Sequence, residues 1–247
     1  MRTGAQRGRR GERAGAVLAL GLGLFPTPGR ADDAREAART VLFGSLDVGR
    51  SAFVGFGRKS ALSGQLDETG PVFLLTAASG RKRERDSVLG SMTVRQAAES
   101  SALLGYQWTV GRTFVTAAVG PELDVETGPD LRFAAPDDRA RVGARLFGDV
   151  WSHPREDWLL HATAIIGSAR EQAWARLAGG YRVREDIYVG PEAALYRTAT
   201  YHEGRIGLHA TGIAVGRVSL RLSGGWRFDE ERERSGPYLG LSGHWRP

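Results

Sequence analysis

The stretch Val218-Ser-Leu-Arg-Leu-Ser-Gly-Gly-Trp-Arg-Phe228 alternates between two sets of residues along its whole length. A β-strand points successive side chains to opposite faces, so one face is apolar and the other carries Arg221 and Arg227. In a soluble sheet the apolar face would cover the core. We interpret the pattern in the opposite sense, with the apolar face toward lipid and the charged face toward an interior, as in a membrane-spanning β-barrel.

The N-terminus has the parts of a secretory signal peptide. An arginine-rich start precedes the apolar run Ala14–Phe25, whose 12 residues are too few to span a bilayer. We predict that residues 1–31 are the signal peptide and that residues 32–40 form a short periplasmic lead-in. Arg9-Arg10 raises the alternative of a twin-arginine signal, which the residues after it fit poorly.

Most of the positive charge belongs to this signal peptide. The chain has 34 Lys and Arg against 28 Asp and Glu, a net charge of +6. Residues 1–31 hold six arginines and one glutamate, which leaves 28 basic and 27 acidic residues and a net charge of +1. A nucleic-acid partner is therefore not expected, because it would require a basic face. The absence of cysteine excludes disulfides, thiolate metal sites and a cysteine nucleophile.

Strand-like segments follow one another through the rest of the chain. Each lies near the ten residues that a tilted strand needs to cross a bilayer. About twelve are found, at residues 41–48, 51–59, 71–80, 94–109, 113–126, 140–152, 157–168, 172–183, 187–198, 204–215, 218–229 and 237–245. We predict an all-β fold over residues 41–247, a transmembrane antiparallel up-and-down β-barrel. The alternation slips near Gly212, which predicts a β-bulge.

The connections and the aromatic residues indicate which end of the barrel is which. Several turns are tight, whereas the connections over 80–92, 126–139 and 229–237 are long and charged. Short turns are typical of the periplasmic end, and the long connection over 63–70 is an exception there. The aromatic residues near the short turns are Tyr106, Trp108, Trp158, Tyr181 and Trp245. They predict an aromatic belt at the membrane interface, and the alternative is that they are core aromatics of a soluble β-sandwich.

The polar faces of the predicted strands place charged side chains inside the barrel. We predict a lumen charge network of Glu122, Asp124, Arg145, Asp149, Arg176, Glu192, Arg205, Arg221 and Arg227. The tetrapeptide Val-Gly-Pro-Glu occurs twice within strands, ending at Glu122 and Glu192, and each proline predicts a local bend. The two glutamates either act as acid and base on a substrate or pair with interior arginines, and we favour pairing, because a buried charge requires a partner.

Other candidates for chemistry are weaker. The five histidines show no metal-ligand spacing, so we predict neither a metal nor a cofactor. Ser152-His153 with Glu156 lies in a predicted periplasmic turn, a poor place for a hydrolase of outer-leaflet lipid. The mixed-charge runs 81–86 and 229–234 could contact lipopolysaccharide or a polysaccharide, and a solvated loop is the simpler interpretation. We therefore predict that the protein is not an enzyme.

Several segments of the chain together resemble a known family. They are Ala102-Leu-Leu-Gly-Tyr-Gln-Trp108, Trp151–Ser168, and Ala175-Arg-Leu-Ala-Gly-Gly-Tyr-Arg182 leading into Val189-Gly-Pro-Glu-Ala-Ala-Leu195. The family that they resemble is the cellulose biosynthesis protein BcsS family. The resemblance covers the mature chain and implies a β-barrel in the outer membrane of a Gram-negative bacterium, associated with cellulose production. It brings no catalytic residues. The chain departs from the usual aromatic last residue of such barrels, because Arg246 and Pro247 follow Trp245.

Three functions follow as hypotheses. The first is a non-enzymatic barrel accessory to biosynthesis or export of cellulose or another exopolysaccharide, as conduit, anchor or secretion partner. Its partners would be outer-membrane lipid, lipopolysaccharide, and cellulose or the cellulose-secretion machinery. The second is an outer-membrane enzyme that modifies lipid A or phospholipid. The third is a soluble periplasmic β-protein that binds sugar. The polar interior and the family resemblance favour the first.

Overall fold

The computed structural model describes residues 38–49, 51–85, 92–127, 129–130, 135–136, 139–199, 201–229 and 235–247. The predicted signal peptide and most of the predicted lead-in lie outside these residues. The strands in this part are β1 (Thr40–Val48), β2 (Ser51–Ala61), β3 (Gly70–Arg85), β4 (Met92–Val110), β5 (Thr113–Thr127), β6 (Pro129–Asp130), β7 (Ala135–Pro136), β8 (Arg139–Arg155), β9 (Trp158–Gly167), β10 (Gln172–Arg184), β11 (Ile187–Thr198), β12 (Tyr201–Val215), β13 (Val218–Asp229) and β14 (Gly236–Trp245).

Twelve of these strands form a closed antiparallel barrel. Each pairs with its neighbours along the chain, and β1 pairs with β14 to close the ring; β6 and β7 form a separate two-stranded ribbon between β5 and β8. The prediction of an up-and-down β-barrel of about twelve strands is confirmed. Among the residues described, no helix has the length and apolarity needed to cross a membrane.

The main difference from the predicted boundaries is the length of the β3–β4 hairpin. The sequence suggests strands ending at residue 80 and beginning at residue 94, because a charged run follows Gly80. In the structure pairing continues through Arg81 with Gln96 and on to Arg85 with Met92. A strand that extends beyond the bilayer is surrounded by water and no longer needs an apolar face. Its charged residues therefore lack the alternation by which a strand is recognised in the sequence.

The face assignment of the opening stretch holds throughout β13. Leu222, Trp226 and Phe228 are exposed on the outer surface, whereas Arg221 and Arg227 are each only 5% exposed. The predicted bulge is also confirmed, since pairing between β12 and β13 shifts between Thr211 and Ile213 and Gly212 has a φ of +89°. The apolar surface therefore faces outward, and the charged side chains fill the interior.

The two ends of the barrel differ in their surface aromatics. We call the end that holds the start of β1 and the end of β14 the terminal end, and the opposite end the loop end. The five belt residues are exposed at the terminal end and include two ring pairs, with centroids 5.1 Å apart in Tyr106–Trp108 and 5.7 Å apart in Trp158–Tyr181. Loop lengths separate the ends less sharply than the sequence indicates, because the loop-end connections 49–50, 168–171 and 199–200 are short.

The long connection at the terminal end, residues 62–69, folds into the barrel mouth, and we call it the plug segment. Its Leu66 is 7% exposed and belongs to an interior apolar cluster with Val72, Leu74, Leu103 and Ala118. The amide of Gln107 donates to the carbonyl oxygens of Leu66 at 2.5 Å and Glu68 at 3.2 Å. This connection is long because it covers the mouth instead of turning tightly between two strands.

Candidate functional site

Small residues on the inner wall make room for long charged side chains. Gly190, Gly207, Gly225 and Gly240 all face the lumen from β11 to β14. A side-chain carbon at Gly207 would lie 2.6 Å from the hydroxyl of Tyr238. Because that space is free, Tyr238 reaches past β13 and β12 and donates a hydrogen bond of 2.9 Å to Glu192 on β11.

Glu192 and Arg221 form the centre of one cluster, which we call the central cluster. Arg221 donates to Glu192 at 2.5 Å, and both side chains are 6% exposed. Ser223 donates a second bond to the same carboxylate at 3.1 Å. Arg221 also donates to His161 Nδ1 on β9 at 3.4 Å, so this cluster crosses the lumen.

His161 continues the central cluster toward β8. Since its Nδ1 accepts from Arg221, neutral His161 carries its proton on Nε2, which donates to Asp149 at 3.0 Å. Thr163 donates to the same carboxylate oxygen at 2.7 Å. Both ring nitrogens have a defined partner, so the ring is positioned from both sides.

Arg145 is the centre of a second cluster nearer the loop end, which we call the upper cluster. Its guanidinium donates to Glu122 at 2.8 Å and to Glu99 at 2.7 Å, and the Glu122 side chain is only 1% exposed. Gln172 on β10 donates to Glu99 on β4 at 3.0 Å, which is a second contact across the lumen. The backbone N–H of Ala169 donates to Glu122 at 2.7 Å, so the turn over 168–171 folds toward the mouth.

Further ion pairs lie outside the two clusters. Arg205 donates to Asp47 on β1 at 2.7 Å and to Glu203 at 2.6 Å. Arg227 lies 3.6 Å from Glu203, and Arg170 lies 3.6 Å from Asp124. These contacts join β12 to β1 and the 168–171 turn to β5, so charge pairing extends around the interior.

All nine predicted network residues face the lumen. Arg227 lies beside Glu203 and not beside either motif glutamate. Arg176 makes no ion pair with a described residue; its guanidinium lies 5.5 Å from the centre of the Trp174 ring. The predicted network does not include Asp47, Glu99, Glu203, Tyr238 and Arg170. The first four belong to the inward-facing set of residues in their strands, so the alternation of faces could have identified them. Arg170 belongs to a turn, where the alternation gives no information.

The two Val-Gly-Pro-Glu copies form the same local structure. Pairing is interrupted between Ser101–Glu122 and Leu104–Val119, and equally between Ala178–Glu192 and Tyr181–Val189. In both, the proline is exposed and the glutamate buried. At each glycine the neighbouring strand comes so close that a side-chain carbon would lie about 2 Å from a carbonyl oxygen, of Ala102 for Gly120 and of Gly179 for Gly190.

Gly190 offers a direct test of this close approach. We expect Gly190→Ala to lower the stability of the folded barrel by about 1–3 kcal/mol, because the added carbon would lie 2.0 Å from the carbonyl oxygen of Gly179. Urea unfolding of the purified barrel, followed by tryptophan fluorescence, measures the change. Gly148→Ala is the control, since nothing lies within 4 Å of its added carbon. Equal midpoints for the two variants would contradict the interpretation.

The interior chemistry is that of paired and hydrogen-bonded charges. Among the described residues, no group of three or more His, Asp or Glu side chains is arranged to hold a metal ion. The two motif glutamates are both held by arginines, Glu122 by Arg145 and Glu192 by Arg221.

The fold and interior define a membrane-spanning β-barrel of the outer-membrane type, whose interior is lined by polar side chains. Residues 41–246 match the family model described as cellulose biosynthesis protein BcsS, and the chain belongs to that family. Membership connects it with cellulose biosynthesis. No curated protein sequence matches the chain significantly.

Solved structures share the architecture at low sequence identity. The β domain of the Bordetella autotransporter BrkA is 12% identical, with a TM-score of 0.51 over 86% of this chain and 100% of that one. The KdgM porin is 8% identical, with a TM-score of 0.47 over 83% of this chain and 98% of that one. The autotransporter supports the barrel fold and carries no information about function.

Proposed function

We propose that this protein is a non-enzymatic accessory barrel of cellulose biosynthesis, located in the outer membrane of a Gram-negative bacterium. It serves as an anchor or partner for the exported polysaccharide and its secretion machinery, and its lumen is closed to passive flow. Outer-membrane lipid and lipopolysaccharide surround its apolar face. Family membership supports the connection with cellulose, and the exposed apolar face with its aromatic belt supports the membrane location.

One observation supports the proposal of a closed lumen. Charged side chains that face the interior of the barrel are buried from solvent. Glu122, Arg145 and Arg221 are 3%, 4% and 5% exposed. Charges that line a water-filled channel keep contact with water, whereas these have other side chains around them. The contacts between β13 and β9 and between β10 and β4 join strands four positions apart in the ring. This packing favours an anchor or partner over a conduit.

The surroundings of the one Ser-His-Glu candidate disfavour the alternative of a lipid-modifying enzyme. The hydroxyl of Ser152 shares a hydrogen bond of 2.7 Å with Thr113. The His153 ring packs between Trp151 and Tyr188, and Glu156 pairs with Arg112. The three side chains have separate partners and form no nucleophile–base pair.

Two measurements test the proposal. In planar bilayers we expect the purified protein to insert without producing single-channel steps, because side chains fill the lumen. In the native host we expect deletion of the gene to reduce cellulose at the cell surface and complementation to restore it. Regular conductance steps would contradict the closed lumen, and unchanged surface cellulose after deletion would contradict the accessory role.

A further inference from the structure

We propose that the loop-end mouth of the barrel holds a binding site for a neutral β-glucan chain, built on the lumen aromatics Trp174, Tyr196 and Tyr201. This inference rests on the proposed accessory role and names the substrate class of that role. Three observations support it, namely an aromatic surface, unpaired polar atoms of both kinds beside it, and the sign of the surrounding charge.

The aromatic surface is formed by residues that lie at neighbouring positions on adjacent strands. Trp174 on β10 lies opposite Tyr196 on β11, and Tyr196 lies opposite Glu203 on β12. The Tyr196 and Tyr201 rings are 6.0 Å apart between centroids and inclined by 56°. All three rings are half-buried and face inward, because the residues beside them in each strand point outward. Three adjacent rings therefore line the wall just below the loop-end turns.

Several buried polar atoms toward the loop end lack hydrogen-bond partners. Asp124 Oδ1 and Asp229 Oδ1 are buried acceptors without a donor, and Arg176 Nε is a buried donor without an acceptor. Arg176 lies over the Trp174 ring, and Asp229 lies opposite Glu203, the neighbour of Tyr196. Buried polar groups are normally satisfied, so unpaired donors and acceptors at one place indicate a ligand that supplies both.

A pyranose matches this combination. Its C–H faces pack on aromatic rings, while its hydroxyl groups both donate and accept hydrogen bonds. The charge at the unpaired acceptors selects a neutral sugar over an acidic one. Both acceptors are carboxylate oxygens, of Asp124 and Asp229, and each needs a donor such as a sugar hydroxyl group. A polyuronate or a lipid phosphate would place its own anionic oxygens there.

Binding of cellohexaose to the full mature barrel in detergent tests the site. We expect saturable binding by isothermal titration calorimetry and a loss of affinity of at least tenfold in Trp174→Ala. Trp226→Ala is the matched control, since Trp226 is an outward-facing tryptophan near the same end, and it should bind as the wild type does. Asp229→Asn, which keeps the shape of the side chain, should weaken binding several-fold.

The outcomes separate this inference from the proposed function. Heat-modifiable gel mobility first establishes that each variant is folded. No binding of cellohexaose by the wild type, equal affinity in Trp174→Ala, or stronger binding of an acidic oligogalacturonide would overturn the site. If deletion of the gene lowers surface cellulose while cellohexaose does not bind, the accessory role stands and the glucan site fails. If cellohexaose binds and deletion has no effect on cellulose, the site stands without that role.

Discussion

Replacing Arg145 by methionine should destabilise the barrel more than any other single substitution at an ion pair. The change leaves Glu122, whose side chain is 1% exposed, and Glu99 as neighbouring carboxylates without a cation between them. Removing one partner of a buried pair costs about 3–5 kcal/mol, because the remaining charge stays buried. We expect the urea midpoint of the detergent-solubilised barrel to fall accordingly, relative to the wild type at neutral pH.

A double variant gives this prediction a second, independent measurement. The double variant Arg145→Met with Glu122→Gln should recover much of the loss at neutral pH. The control is Arg112→Met, which breaks an exposed pair with Glu156 at 3.3 Å and should cost under about 1 kcal/mol. A loss in Arg145→Met no larger than in this control would show that the upper cluster does not stabilise the fold.

The sequence alone predicts the barrel well, because strand parity repeats over the whole chain. The alternation of apolar and polar residues shows the two faces of each strand separately, and a bilayer requires a minimum length of every strand that crosses it. An error in one predicted strand therefore leaves the others unaffected. Even the exception near Gly212 is visible as a change of parity. The same regularity predicts that the nine network residues point into the lumen.

The alternation of faces along a strand cannot predict with which residue each inward-facing charged side chain pairs. Strands separated by several others meet only through the curvature of the barrel, as in the contact of Arg221 with His161. Two features have no strand signal at all. Arg170 reaches Asp124 from a turn, and Leu66 enters the lumen from a connection that resembles a polar loop in the sequence. Both depend on the path of irregular backbone, which has no fixed period.

In the closed lumen that we propose, two obstructions lie in series, the plug segment at the terminal end and the paired charges above it. Lys59, which donates to Gln107 at 2.5 Å and to Thr116 at 2.7 Å, lies between them and joins β2 to β4 and β5. Flow through two obstructions in series requires that both be removed. Conductance is thus expected to depend on the two regions jointly.

Leu66→Asp should release the plug segment, because it places a carboxylate among Val72, Leu74 and Leu103. We expect the endoproteinase Glu-C to cleave after Glu68 in this variant, and to leave the wild type and the exposed control Ser63→Asp intact in the segment. A segment that stays protected in Leu66→Asp would contradict anchoring through Leu66.

Planar-bilayer recordings of single and combined variants test whether both obstructions must be removed for the barrel to conduct. In the lumen variant, serine replaces both partners of the pairs Arg145–Glu122 and Arg221–Glu192, which removes bulk from the upper and central clusters. The wild type, Leu66→Asp and the lumen variant alone should each produce no channel steps, and only their combination should conduct. Steps from Leu66→Asp alone would show that the charged clusters leave a continuous path, and steps from the lumen variant alone would show that the plug segment does not close its end.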